Sequence, residues 1–274
     1  MLKSPLVPGK SGMAPLSGLD IYYAQYGQGP HLVLVPGLGV STWIWDDHLP
    51  HFAPFFTVTT FDLRGAGRSD KPEGPYTVSQ MAGDLLELLD FLNIPQCHLL
   101  GISLGGFVAQ EFAIDHPERV NRLVLAATGP GGEAHSPMMP EVMDLLLAKS
   151  AAQSPGELLR RKLLLAFTEN YMDSPAGEGQ IRKRIRDPQP RAAFEAQAAA
   201  GSVFDRCRDL GNISAPTLIL SGALDPLVPP DNGRYLQQHI PDSRFSLIEG
   251  LRHQFFVEDA QRFCNEVMAF LQGE

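Results

Sequence analysis

Cysteine is scarce in this chain: Cys97, Cys207 and Cys264 are the only three among 274 residues, and they lie far apart. Any disulfide pairing strands one of them and no metal-ligand spacing connects them, which argues against a disulfide scaffold and against a metal site. Each thiol is expected to pack as a small hydrophobe in a reducing compartment. Long apolar runs are absent as well. No stretch approaches the roughly 20 residues that a membrane-spanning helix needs, and Met1-Leu2-Lys3-Ser4-Pro5 opens no continuous apolar segment before Pro8 and Gly9. A cytoplasmic chain with no membrane partner is therefore expected. Positive charge is in deficit, with 22 Lys and Arg against 31 Asp and Glu and a formal net charge of -9, so nucleic acid is not an expected partner either. The one basic cluster, Arg160-Arg161-Lys162 followed by Arg182-Lys183-Arg184, falls among helix formers and reads as a solvated helix face. Internal repeats and low-complexity tracts are missing too.

What the chain does have is an ordinary globular composition, 44% hydrophobic and 19% charged, which rules out global disorder. Its length suffices for one large α/β domain or two small ones. Residues 19–24 read as an exposed or edge strand. Residues 31–35, 56–61, 97–100 and 122–126 are short apolar or β-branched runs, and helical patterns at 78–92 and 104–114 lie between them. Strands that are apolar throughout and alternate with helices predict a mostly parallel, doubly wound sheet covered on both faces. The rhythm changes after Thr128. From Pro140 to about Arg208 only helical signals occur, broken at Ser154-Pro155, Ser174-Pro175 and Asp187-Pro188, before strands resume at 217–221 and 244–248 and a closing helix spans about 257–271. An α/β core (residues 1–129 and 213–274) interrupted by a helical cap (residues 130–212) is the organisation this implies.

The strongest chemical signal is Gly101-Ile102-Ser103-Leu104-Gly105, at the end of an apolar strand and directly before a helix. A serine on such a sharp strand–turn–helix is lifted clear of the sheet, and the flanking glycines remove clashes that larger residues would cause. A serine hydroxyl needs a base. Of eight histidines, His253 alone follows the last strand, in a loop that a parallel sheet brings to the same carboxyl edge. The base in turn needs an acceptor to fix its tautomer, and Asp225, just past a strand end in Leu224-Asp225-Pro226, is the candidate. Two amides should converge on the oxyanion. One is that of Leu104, after the nucleophile, and the other that of Leu38 in Pro36-Gly37-Leu38-Gly39.

Over residues 19–271 these features resemble the α/β-hydrolase superfamily. Asp62-Leu63-Arg64-Gly65-Ala66-Gly67-Arg68-Ser69-Asp70 is similar to that family's D-x-R-G-x-G-x-S segment, and the resemblance gives Asp62 and Arg64 a bracing role. One departure is Pro36-Gly37, where the family often has His-Gly. A serine at the turn disfavours dehalogenases and epoxide hydrolases, which carry aspartate there. The resemblance implies no cofactor and a serine hydrolase of small-molecule esters or lactones, acting as a monomer or homodimer; residues 101–110 together with Trp43 and Trp45 resemble the enol-lactonase group. The alternatives are a carbon–carbon bond hydrolase, a perhydrolase, or a ligand-binding member that keeps the triad without turnover. The expected substrate pocket draws on Trp43, Leu227 and Phe255 beside Leu38, and on Met139, Met143, Leu146, Phe167 and Tyr171 from the cap; Arg64 and Arg252 are expected to be exposed, or to receive a substrate carboxylate.

Overall fold

The computed structural model describes residues 6–148 and 155–273. Residues 1–5, 149–154 and 274 lie outside it, and with them the N-terminal segment and Ser154 of the first expected helix break. Eight strands form one sheet in the order β1-β2-β4-β3-β5-β6-β7-β8. They are β1 (Lys10–Leu16), β2 (Leu19–Tyr26), β3 (His31–Val35), β4 (Thr57–Phe61), β5 (Cys97–Ile102), β6 (Val120–Ala126), β7 (Thr217–Gly222) and β8 (Ser243–Ile248). The β1–β2 and β2–β4 pairs are antiparallel; every other neighbouring pair is parallel. This is the α/β-hydrolase fold expected from the sequence.

Along the central strands successive side chains enter opposite layers, as the period of two requires. Val33, Val35 and Leu99 join one buried cluster with helices α2 (Val78–Phe91) and α3 (Leu104–Asp115). Leu32, Leu34 and Leu100 join another with α1 (Leu49–Phe52), α10 (Phe255–Glu258) and α11 (Ala260–Gln272). Each fully buried leucine contributes roughly 1.5–3 kcal/mol of transfer free energy, so a strand apolar on both faces can only be central. Helix α2 starts where the Thr77 hydroxyl accepts from the Gln80 amide at 3.0 Å while the Gln80 side chain accepts from the Thr77 amide at 3.0 Å.

Two expectations are corrected here. Residues 19–24 are not an edge strand: β1 lies outside β2, and its Gly12 and Pro15 weaken its strand signal while an edge tolerates them. The closing helix is two helices, because the Asp259 side chain accepts from the Arg262 amide at 3.1 Å and starts α11 afresh.

Between β6 and β7 lie α4 (Pro140–Leu147), α5 (Pro155–Ala166), α6 (Glu169–Met172), α7 (Pro175–Arg186) and α8 (Arg191–Ser202), followed after β7 by α9 (Asp231–His239). Prolines open α4, α5 and α7, where a missing N–H costs nothing. Ser174 caps α7 by accepting from the Gly177 amide at 3.3 Å. The basic cluster is not uniformly solvated: Arg161 and Arg182 are exposed, but Arg184 is wedged beside the Trp43 and Phe167 rings, 5.1 and 6.0 Å from their centroids. Among the described residues no helix is long and apolar enough to cross a membrane.

Candidate active site

The chain leaves β3 toward β4 on one side and reaches β5 on the other. A crevice forms at the carboxyl ends of strands where the winding reverses in this way, and ligands of open α/β sheets bind there. Register pairs Val35 with Gly101, so the loop after β3 and the turn after β5 meet in this crevice.

Ser103 occupies that turn with φ 53° and ψ −119°. A residue with a side chain reaches this region only at a cost of about 1–3 kcal/mol, so the surroundings must enforce it. The Ser103 amide donates to the Ala126 carbonyl at 2.9 Å, and its own carbonyl accepts from the Gly106 amide at 2.8 Å and the Thr128 hydroxyl at 3.0 Å. A Cβ on Gly105 would stand 2.3 Å from the Val35 carbonyl oxygen, so helix α3 can approach β3 this closely only with glycine there. A Cβ on Gly37 would stand 3.3 Å from the Ser103 Cβ, which shows how tightly the Pro36-Gly37-Leu38 loop abuts the turn. Among the described residues the Leu38 and Leu104 amides donate to no acceptor; at Leu104 this is the ordinary state of a helix's first residue.

Hydrogen bonds step across the same edge. Ala127 donates to the Leu220 carbonyl, Ala223 to that of Ile248 and Leu224 to that of Leu251, all at 2.9 Å. They bring the Asp225 loop, after β7, against the His253 loop, after β8. The His253 Nδ1 lies 2.7 Å from Asp225 Oδ2, and the side chains are 9% and 0% exposed, so water competes little for the bond. The Leu227 and Val228 amides donate to Asp225 Oδ1, both at 2.9 Å. These bonds hold the carboxylate plane and, through it, the ring.

Asp62 and Arg64 are braces in the geometry. Asp62 accepts from the Thr42 amide at 2.6 Å and the Arg68 amide at 2.8 Å, tying the turn beyond the Leu38 loop to the segment after β4; burial pushes its carboxyl above the usual range. Arg64 makes a two-pronged pair with Asp84 at 2.7 and 2.6 Å. Arg252 donates to the Leu164 carbonyl. Neither arginine is the exposed side chain expected, because each has a partner that only tertiary packing supplies.

Ser103, Leu38, Leu104, Met143, Leu146 and Leu227 line one cavity of about 900 Å³. Five other residues expected around the substrate are placed elsewhere. Phe167 and Phe255, the latter opening α10, are fully buried in the core cluster that holds Leu32, Leu34 and Leu100. Tyr171 stacks on Phe167 with centroids 4.8 Å apart, Trp43 lies under the cations of α7, and Met139 faces outward at 61% exposure. Sequence reasoning missed Phe107, His135, Gln197 and Phe204, which share the cavity wall. Phe107 had a signal: it stands four residues beyond Ser103, in the first turn of α3.

Residues 30–260 match the family described as the alpha/beta hydrolase fold. The chain is 31% identical to 3-oxoadipate enol-lactonase 2 of Acinetobacter baylyi, with 91% of this chain and 92% of that protein covered. It is 30% identical to a poly(3-hydroxyalkanoate) depolymerase of Ectopseudomonas oleovorans, covering 89% and 86%. Among solved structures, an enol-lactonase from Burkholderia xenovorans LB400 superposes with a TM-score of 0.82 at 26% identity, over 95% of this chain and all of that one.

Proposed function

Because this chain belongs to the alpha/beta hydrolase family, a family of hydrolases whose lactonase and esterase members it resembles at about 30% identity, we propose that it is a serine hydrolase of carboxylic esters or lactones. The observation that carries the reading is a strained Ser103 after β5 and a buried, hydrogen-bonded His253–Asp225 couple after β8 and β7, all at the carboxyl edge of one sheet. With the proton on Nδ1 donated to Asp225, His253 has Nε2 free to take the Ser103 proton across the end of β6. The Ser103 oxygen attacks the carbonyl, and the developing oxyanion rests on the Leu38 and Leu104 amides. His253 then protonates the leaving alcohol. Water repeats the sequence and frees the acid. In a lactone the leaving alcohol stays attached to the acyl chain and departs with it. The relatives named as acting on lactone and polyester bonds support this bond class. The helices of residues 130–212 act as a cap over the cavity.

The test is Ser103→Ala assayed on a short-chain aryl ester, against the unchanged chain. Loss of at least about a thousandfold in kcat is expected. Normal turnover by the variant defeats the assignment.

A further inference from the structure

The cavity that holds Ser103 has an uneven charge distribution. Its floor and walls are hydrocarbon and sulfur, from Leu38, Leu104, Phe107, Met138, Leu146 and Leu227. Its least exposed polar side chains are neutral: Gln197 and Thr128, both buried, and the partly buried His135, whose imidazole burial holds below its usual pKa. No lysine or arginine lines it among the described residues. Both charged side chains that do line it, Glu133 and Asp205, are acidic and exposed, so they stand at its mouth.

Neither carboxylate is neutralised by contact. Among the described residues no ion pair forms at Glu133 or Asp205. The nearest cation in sequence, Arg206, is spent on Glu111 at 3.1 Å, Asp115 at 2.7 Å and Asp209 at 2.9 Å. Arg208 acts on Asp205 only through space. The Asp205 carboxylate is also fixed in place. It accepts from the Cys207 amide at 3.2 Å, and it rests so close to the chain that a Cβ on Gly132, at φ +59°, would come within 2.2 Å of it.

We propose that this cavity takes uncharged or cationic esters and lactones and rejects those whose acyl chain ends in a carboxylate, with Glu133 and Asp205 as the discriminating charges. The proposal rests on the serine-hydrolase reading of the same site. Two costs act on an anionic substrate. Its carboxylate is repelled at the mouth, an effect that salt screens. Inside, it sheds water into an apolar space whose described lining offers no counter-charge.

The experiment compares three aryl esters of one chain length: p-nitrophenyl hexanoate, the mono-p-nitrophenyl ester of adipic acid, and p-nitrophenyl 6-aminohexanoate. At about 0.01 M salt, kcat/KM for the neutral ester should exceed that for the anionic one by roughly tenfold or more, and by clearly less at about 0.5 M. The aminohexanoate should match or exceed the neutral ester. Glu133→Lys should narrow the neutral-to-anionic ratio several-fold, and Asp205→Asn should do the same if the charge rather than the fold is responsible. Equal use of the neutral and anionic esters at low salt, or a ratio that neither salt nor either substitution moves, overturns the proposal and leaves the esterase reading standing. Failure to cleave any of the three, with Ser103 intact, defeats the esterase reading and the proposal with it.

Discussion

The loop carrying His253 and the segment that lines the cavity at residues 132–147 are held in different ways. Residues 251–258 are bonded on several sides. Arg252 reaches the Leu164 carbonyl, the Gln254 amide donates to the Ala166 carbonyl at 2.8 Å, and Arg184 donates to the Gln254 side chain at 3.1 Å. Glu258 accepts from the Thr168 amide at 3.0 Å and from its hydroxyl, and His48 lies 2.7 Å from the Phe256 carbonyl. Among the described residues, 132–147 meet their surroundings through the reciprocal pair of Ser136 with Asn232 at 2.8 and 2.9 Å, the Gly132 amide on the Phe204 carbonyl at 2.9 Å and the His135 ring against Phe107 at 6.3 Å, and α4 buries none of its described side chains. Proton transfer tolerates little misplacement, whereas a wall that receives acyl chains gains from giving way. Under the proposed mechanism the two segments would divide those demands between them.

The sharpest way to break the contrast is to loosen the bonded side by acid. His48 is fully buried, and desolvation lowers its pKa to about 4. Between an unfolded pKa of about 6.5 and that value, only the unfolded chain takes the proton. Stability is therefore complete above about pH 6.5 and is lost as pH falls toward 4, by up to about 3 kcal/mol from this residue. Denaturant melts at about pH 7 and 4.5 should show a drop that is smaller by about 2–3 kcal/mol in His48→Gln, whose amide can still donate to Phe256. An equal drop in both chains would mean that acid sensitivity lies elsewhere.

Arg184 probes the same side more gently. Desolvation pulls its guanidinium down to about 10, so it stays charged at neutral pH, yet its partners are the neutral Gln180 and Gln254 side chains, at 2.9 and 3.1 Å, and two aromatic rings. In Arg184→Met the relief of a buried charge offsets the lost bonds, so stability should move by no more than about 1 kcal/mol. Freed from Gln254, the His253 loop should wander, and kcat on a short aryl ester should fall roughly tenfold with KM nearly unchanged. Full kcat with a lowered melting point would make the contact a brace of the fold and nothing more.

These two residues also mark where sequence stopped being legible. The turn at Ser103 was readable because its backbone conformation admits glycine and little else around it, and chain order then pointed to Asp225 and His253. Nothing local announced that Arg184 would be desolvated: α7 carries charge all round, and only its docking on Trp43 and Phe167 decides which cation loses water. The same blindness explains the pocket. Phe167 and Met143 are equally apolar in sequence, but one faces the sheet and the other the cavity, and helical periodicity gives a face without saying what that face meets. β1 escaped notice because an edge strand can keep Gly12 and Pro15, which a central strand could not.

Met143 supplies the smallest and most pointed test, from the loosely held side. It lines the cavity yet is 39% exposed, so Met143→Ala removes contact with a long acyl chain without opening a hole in a packed core. The lost burial is worth at most about 1 kcal/mol. Expressed in kinetics, KM for a long-chain aryl ester should rise about two- to fivefold while kcat and the acetate ester are left alone. Thermal stability should shift by less than about 0.5 kcal/mol. A large loss of stability would place α4 inside the cooperative core, and an equal loss of kcat on every chain length would place it in the machinery that orders the reacting groups. Either result would erase the distinction between a fixed side and a yielding one, because a wall that melts or misaligns the whole site when one half-exposed side chain is trimmed is not yielding.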